Sequence, residues 1–345
     1  MFLASTGARH CPTCGRPWEA DESPLLLSVI ADYLLQKERT AGEKSTRTRL
    51  GHVVRYVNET NPAVIVAAVN DDFAEGFRKW MAARDASGGQ KGAGKRKYSL
   101  STIEGCLLQL AAAINSAPGQ KSQFKFEQPA DVAESPSYRA DVQTIARMFE
   151  YCLRPDDKSV RHWREPHQIN AKLLQLRVAE RANLLRYLRM AVATWARPDA
   201  IYQVKQDQWH SAARVLDLNP RGRRQTRKYR PTVPIAMQLA PHLDTMGESW
   251  LPVSSIRAAW DKMAIALELP SGGQAGEKLI RRSMSTLVRR RIGEERWRQG
   301  EMMLGHVKAS ISDIYAIPDP ANLGLVLSAT EDIIREIEEL VPGAF

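Results

Sequence analysis

The stretch SAPGQKSQFKFEQPADVAESPS, residues 116–137, most constrains what this chain can fold into. It is polar, carries proline and glycine, and sustains no apolar period. On either side of it apolar residues recur at helical spacing. A chain of 345 residues is long enough for roughly two cores, and this break predicts where they part. The expected organisation is a leader over 1–20, an all-helical unit over 21–115, a linker over 116–137 and a larger unit over 138–345.

In the first unit, SPLLLSVIADYLLQKER sets Leu26, Val29, Ile30, Tyr33 and Leu34 on one helical face. DDFAEGFRKWMAAR, near 71–84, predicts a second helix. After a Gly/Lys-rich loop (87–97), SLSTIEGCLLQLAAAIN lines Ile103, Leu107, Leu110 and Ile114 along one side, with Ser101 and Glu104 at capping-box spacing. The second unit opens on a helix sharing Val142, Ile145, Phe149 and Cys152. A later one carries Leu184, Leu188, Val192 and Trp195 up to Arg197-Pro198. Proline suits the first turn of a new helix, so Arg197 falls at a helix–helix corner.

ARVLDLNP and RPTVPIAM predict short strands flanking a basic hairpin over 219–230. Ile280, Met284, Leu287 and Val288 form the buried face of a further helix. An amphipathic helix over 321–341 presents Leu325, Ile333, Ile337 and Leu340. The fold class is therefore mainly α with a small β-sheet in the second unit. No apolar run approaches the roughly 18 residues of a membrane span. The N-terminus lacks the pattern of a signal peptide, so a cytoplasmic protein without membrane partners is expected.

Charge narrows the partner. The net charge is +10, and it is concentrated. KGAGKRKYS holds Lys91, Lys95, Arg96 and Lys97 with no acid. RGRRQTRKYR holds Arg221, Arg223, Arg224, Arg227, Lys228 and Arg230 with no acid, and RRSMSTLVRRR adds five more cations. Cations gathered in separate segments are what a surface tracking phosphates needs, so nucleic acid is the expected partner. Of the four cysteines, Cys106 and Cys152 lie in helical apolar patterns and read as buried thiols. Cys11 and Cys14 form HCPTCGRPW, half of a zinc site. With no second CxxC to complete four ligands, they are weak zinc candidates and no metal is expected. His162 and His167 have no ligand at matching spacing and read as surface residues.

Five local features remain, in a definite order. WARPDAI gives Arg197, with Asp199 two residues on; the hairpin gives Lys228. KLIRRSMST gives Lys278 and, three residues later, Arg281. MLGH gives His306, and SDIYAIPDP gives Tyr315 nine residues after it. Singly each has an ordinary reading: an ion pair of Arg197 with Asp199, a solvated helix face, a turn histidine, a core aromatic. Jointly they form a pattern. The sequence resembles the tyrosine recombinases, specifically the phage-type integrases, whose catalytic domain carries an Arg, a hairpin Lys, a His-x-x-Arg, a Leu-Gly-His and a Tyr nine residues after that His. The resemblance covers roughly 136–330 with specific motifs. Over 21–115 it is looser, where that family has a helical core-binding domain. Lys278 is a departure, since it stands where the family usually has a histidine.

The resemblance implies a site-specific DNA recombinase. Tyr315 would attack a scissile phosphodiester to leave a 3′-phosphotyrosyl link and a free 5′-hydroxyl, with neither ATP nor metal required. Arg197 and Arg281 would clamp the non-bridging oxygens, His306 would add a donor, and Lys228 would protonate the leaving oxygen. Lys278 would handle a proton or contact the phosphate. Double-stranded attachment sites are the implied substrate. A homotetramer assembled through the C-terminal helix, packed in trans, is one implied assembly; the same helix packed in cis is the other. Two further classes fit parts of the pattern. One is a DNA-binding protein of this fold with weakened catalysis, favoured only by Lys278. The other is a type IB topoisomerase-like nicking-resealing enzyme, disfavoured by the separate helical unit and the LGH-to-Tyr spacing.

Overall fold

The computed structural model describes residues 23–40, 42–86, 97–154, 170–225, 228–306 and 323–345. They form two compact units, one ending at Ser135 and the other beginning at Pro136.

The first unit is built on α1 (Leu26–Gln36), α2 (Glu43–Thr60), α3 (Asp71–Ala82) and α4 (Leu100–Ser116). Leu26, Val29 and Ile30 of α1 meet Leu50, Val53 and Val57 of α2, Phe77 and Met81 of α3, and Ile103, Leu107, Leu110 and Ile114 of α4. Each fully buried side chain of this size stabilises the fold by about 1.5–3 kcal/mol. Asn70 caps α3 by accepting from the Phe73 amide. Ser99, not Ser101, caps α4, accepting from the Thr102 amide. The expected capping box is thus absent: Ser101 donates to the Pro129 carbonyl, and Glu104 is buried in a two-pronged pair with Arg78, at 2.7 and 3.2 Å. Part of the stretch read as linker belongs to this core. Phe124 is buried, and the Lys125 and Glu127 amides donate to Asp71 and Glu104. Polar composition hid these anchors, because one aromatic and two backbone amides make the contact.

The second unit contains α5 (Val142–Leu153), α6 (Ala171–Thr194), α7 (Pro198–Ile201), α8 (Ala240–Asp244), α9 (Arg257–Ala266), α10 (Leu279–Ile292), α11 (Arg298–Leu304) and α12 (Gly324–Leu340). An antiparallel sheet of β1 (Trp209–His210), β2 (Val215–Asp217) and β3 (Thr232–Pro234) runs in that order. Register pairs Trp209 with Leu216 and Leu216 with Val233, which aims Leu216 and Val233 into the core. β2 and β3 are the strands expected around the basic hairpin.

α12 buries Val326, Ile333, Ile334 and Ile337 against its own unit. Leu325 and Leu340, expected on the buried face, are 40% and 50% exposed. The buried stripe runs through Val326 and Ile334 instead. Among the described residues no helix is long and apolar enough to cross a membrane. Cys106 and Cys152 are buried free thiols, and burial pushes both up to about 12.

Candidate active site

Three segments of the second unit converge, and each is brought there by an identifiable local cause. The first is the corner after α6. Helix α6 stops because Trp195 turns left-handed, with φ 53°. A non-glycine residue holds such a conformation only where its surroundings enforce it, at a cost of about 1–3 kcal/mol. Here the buried indole stacks on Trp297, with centroids 6.3 Å apart and planes at 12°. Gly300 makes room for that stack, since a Cβ there would collide with the Trp297 ring. Pro198 then starts α7, and Arg197 stands at its N-cap.

The second segment is the opening of α10. Tyr187 donates to the Glu277 carbonyl at 3.0 Å, and Tyr202 donates to the Glu277 carboxylate at 3.0 Å. Trp260 Nε1 donates to the Ala275 carbonyl at 2.8 Å, and Arg282 binds the Gln274 carbonyl. These anchors fix Lys278 at the N-cap and Arg281 in the first turn. The third is the turn closing α11. Gly305, at φ 63°, donates to the Met302 carbonyl and His306 donates to the Glu301 carbonyl, both at 2.9 Å. This is the paired closure that a left-handed glycine permits.

Arg281 joins the segments. Its Nη1 donates to the Trp195 carbonyl at 2.6 Å, its Nη2 donates to the Leu304 carbonyl at 2.6 Å, and Nη2 lies 3.3 Å from His306 Nε2. The basic hairpin closes the other side. Arg197 Nη1 donates to the Tyr229 carbonyl at 2.7 Å. Arg230 donates to Asp199 Oδ2 at 2.7 Å and to Gln203 Oε1 at 2.8 Å. Gln225 brackets the Arg230 backbone, donating to its carbonyl at 2.9 Å and accepting from its amide at 3.2 Å. A Cβ on Gly305 would stand 2.8 Å from both the Tyr229 carbonyl oxygen and Pro231 Cδ, so only glycine lets this turn sit so close.

The electrostatics are those of crowded cations. Burial, with the Arg197 charge beside it, brings Arg281 down to about 9, so it stays charged at neutral pH. Burial and the charges of Arg281 and Arg197 push His306 below its ordinary value and favour the neutral imidazole. Burial also lowers Arg197, partly offset by Asp199. Burial works to raise Asp199, but its hydrogen bond and ion pair with Arg230 prevail and hold it below the usual carboxylate range, with Lys228 contributing. An electropositive site with fixed fork-shaped donors suits a phosphate.

Of the residues expected from sequence, Arg197, Arg281 and His306 come together, and Lys228 is exposed within electrostatic reach of Asp199. Lys278 is exposed one turn ahead of Arg281. Tyr315, Lys91, Lys95, Arg96, Arg227, Cys11 and Cys14 lie outside the described residues, as do His162 and His167. Lys97 holds the Ala83 carbonyl at 2.7 Å and Asp85 at 2.9 Å, pinning the foot of the basic loop. Arg221 and Arg224 are exposed, while half-buried Arg223 bonds Asn219 at 3.1 Å. Arg230 sits otherwise than expected for a DNA contact: it is 3% exposed and its guanidinium is occupied by Asp199 and Gln203. Asp199 therefore partners Arg230 rather than Arg197 by hydrogen bond. Sequence reasoning missed the Trp195 carbonyl, Gln203, Gln225 and the Trp297–Gly300 support. Among the described residues no group of three or more His, Cys, Asp or Glu side chains gathers as a metal site would need.

No family model and no curated protein matches the chain. Solved structures do. The Tn1549 transposon integrase in complex with a circular intermediate DNA is 13% identical, with a TM-score of 0.55 over 92% of this chain and 100% of that one. A second such complex gives 0.54 at 13% identity over 92% and 99%. The same integrase with transposon right end DNA gives 0.52 at 12% identity over 92% and 99%. The chain has the fold that these recombinase structures share.

Proposed function

From this fold and its cation cluster we infer that the protein is a site-specific DNA recombinase of the tyrosine class. The observation that carries the reading is Arg281, held by the Trp195 and Leu304 carbonyls, with His306 against it and Arg197 fixed nearby on the hairpin. Its substrate in this reading is double-stranded DNA; the Tn1549 integrase structures are complexes with transposon right end DNA and circular intermediate DNA.

In the proposed reaction the Tyr315 hydroxyl oxygen bonds to phosphorus while the bond from phosphorus to the 5′-oxygen breaks. The phenolic proton passes to water. Lys228 gives its proton to the leaving oxygen, where a lysine among other cations is a credible acid. Arg197, Arg281 and His306 meet the charge that grows on the non-bridging oxygens, and Lys278 approaches the phosphate from the start of α10. The 3′-phosphotyrosyl ester keeps the bond energy for rejoining, so the chemistry calls for neither ATP nor metal. Exchanging both strands of two duplexes needs four nucleophiles, hence a homotetramer on paired sites. The exposed cations Arg221 and Arg224, half-buried Arg223, and Lys91, Lys95, Arg96 and Arg227 supply sequence-independent phosphate contacts in this reading.

The test is covalent trapping on nicked suicide DNA drawn from the flanks of the protein's own gene. A protease-sensitive adduct with wild type and none with Tyr315→Phe is the expected result. Salt-sensitive binding without any adduct would replace this reading with that of a non-catalytic DNA-binding protein.

A further inference from the structure

Among the described residues Arg230 is the most buried cation of the basic hairpin, and no solvent-facing role accounts for it. A guanidinium at 3% exposure is costly unless its donors are met. Here they are met by Asp199 and Gln203, both from the α7 corner. Gln225 fixes the Arg230 backbone from within the hairpin. One residue earlier, the Tyr229 carbonyl receives Arg197. Segments 197–203 and 225–230 are therefore cross-braced: each sends an arginine to the other.

Lys228 stands immediately before Tyr229 and two residues before Arg230. It is exposed, and no described residue hydrogen-bonds or ion-pairs with its ammonium. Asp199 is a carboxylate within its electrostatic reach. Were Arg230 absent, that carboxylate would attract Lys228, and a lysine in an ion pair is both displaced and a weaker acid.

We propose that Arg230 is a positioning residue of strand cleavage: by occupying Asp199 it anchors the hairpin to the Arg197 corner and keeps Lys228 available to protonate the leaving 5′-oxygen. This rests on the recombinase reading above. Arg230 touches neither DNA nor the reacting atoms; it acts through Lys228.

The experiment is single-turnover cleavage at the mapped position by the full chain. Ordinary DNA is compared with DNA whose bridging 5′-oxygen is replaced by sulfur. In the sulfur substrate the same bond to Tyr315 forms and phosphorus–sulfur breaks, and the thiolate leaves without a proton donor. Arg230→Gln is expected to slow ordinary DNA by about 10- to 100-fold, a share of what a general acid supplies, and to cleave the sulfur substrate within about threefold of wild type. Arg230→Lys, which keeps a cation facing Asp199, is expected to lose less and to recover in the same way. It carries the comparison if thermal melting shows that Arg230→Gln does not fold. Arg281→Ala, lacking a phosphate donor, is expected to stay slow on both substrates. Equal slowing of the Arg230 variants on both substrates, or no slowing on ordinary DNA, would overturn the proposal while leaving the recombinase standing. Wild type forming no adduct with either substrate would overturn the recombinase reading, and this inference with it.

Discussion

Arg281 Nη1 donates to the carbonyl of Trp195 at 2.6 Å, an acceptor set there because Trp195 closes α6 in the left-handed conformation. An arginine proposed to grip phosphate is thus held by backbone, leaving its orientation independent of any carboxylate that would neutralise it. Arg281→Ala should lower the cleavage rate by roughly 10²–10³, as loss of a preorganised donor does. Arg281→Lys should recover little, because a lysine cannot reach the Trp195 and Leu304 carbonyls and His306 together. Single-turnover adduct formation measures both.

Trp297→Ala should act on the same guanidinium from a distance. Removing the ring leaves Trp195 without its stacking partner and opens a cavity, for a stability loss of about 3 kcal/mol. Chemical denaturation gives the stability. Adduct formation, measured where the variant is still folded, should fall as well, because Trp195 then relaxes from the conformation that presents its carbonyl.

Gly305→Ala should be more disruptive than its size suggests. It would place a Cβ 2.8 Å from the Tyr229 carbonyl oxygen and Pro231 Cδ, in a conformation already unfavourable for alanine. A loss of about 1–3 kcal/mol is expected, with cleavage impaired because both His306 and the hairpin must move. Gly222 is also left-handed but has open space around it. Gly222→Ala serves as the control, carrying the conformational cost alone.

His306 sets a pH dependence. Unfolded, it titrates near 6.5; folded, burial and the two arginines hold it lower. Well above pH 6.5 it is neutral in both states and contributes no slope. As pH falls below that value the unfolded chain takes up the proton first, so stability declines. His306→Gln should flatten part of this decline between about pH 6.5 and pH 5. Denaturation midpoints across that range, with an NMR titration of the imidazole, measure it.

In the first unit, Glu104→Ala should cost about 3 kcal/mol, because Arg78 loses its two-pronged partner and the Glu127 amide loses its acceptor. Thermal and urea denaturation give the value. Charge-conserving Glu104→Asp should recover only part of it, since the shorter side chain cannot span both contacts.

Much of this fold is legible because apolar periodicity reports burial directly. Ile103, Leu107, Leu110 and Ile114 are read from spacing and found buried, as are Val142, Ile145, Phe149 and Cys152. Helix α2 went unread although Thr46, Leu50, Val53 and Val57 keep the period, because EKSTRTRLGHVVRYVNET is otherwise polar. The convergence of Arg197, Arg281 and His306 is legible only through motif order. What positions them is not, since the acceptors are carbonyls of Trp195, Tyr229 and Leu304, and a carbonyl has no residue type. Arg230 shows the converse limit: in sequence it is one more cation of a basic run, and only the fold reveals that its charge is already spoken for.

The bracket between Gln225 and Arg230 also governs how this chain can change length. Between Asn219 and Gln225 the hairpin holds Gly222, whose surroundings are open, so extra residues there would extend into solvent. Past Gln225 the side-chain amide, the Tyr229 carbonyl and the Arg230 fork all keep register with a fixed corner. An affinity tag or reporter loop inserted at Gly222 would leave that register intact, whereas a single residue inserted between Tyr229 and Arg230 would break it. The hairpin thus has a tolerant tip and an intolerant stem, and any lengthening of this chain has the tip to work with.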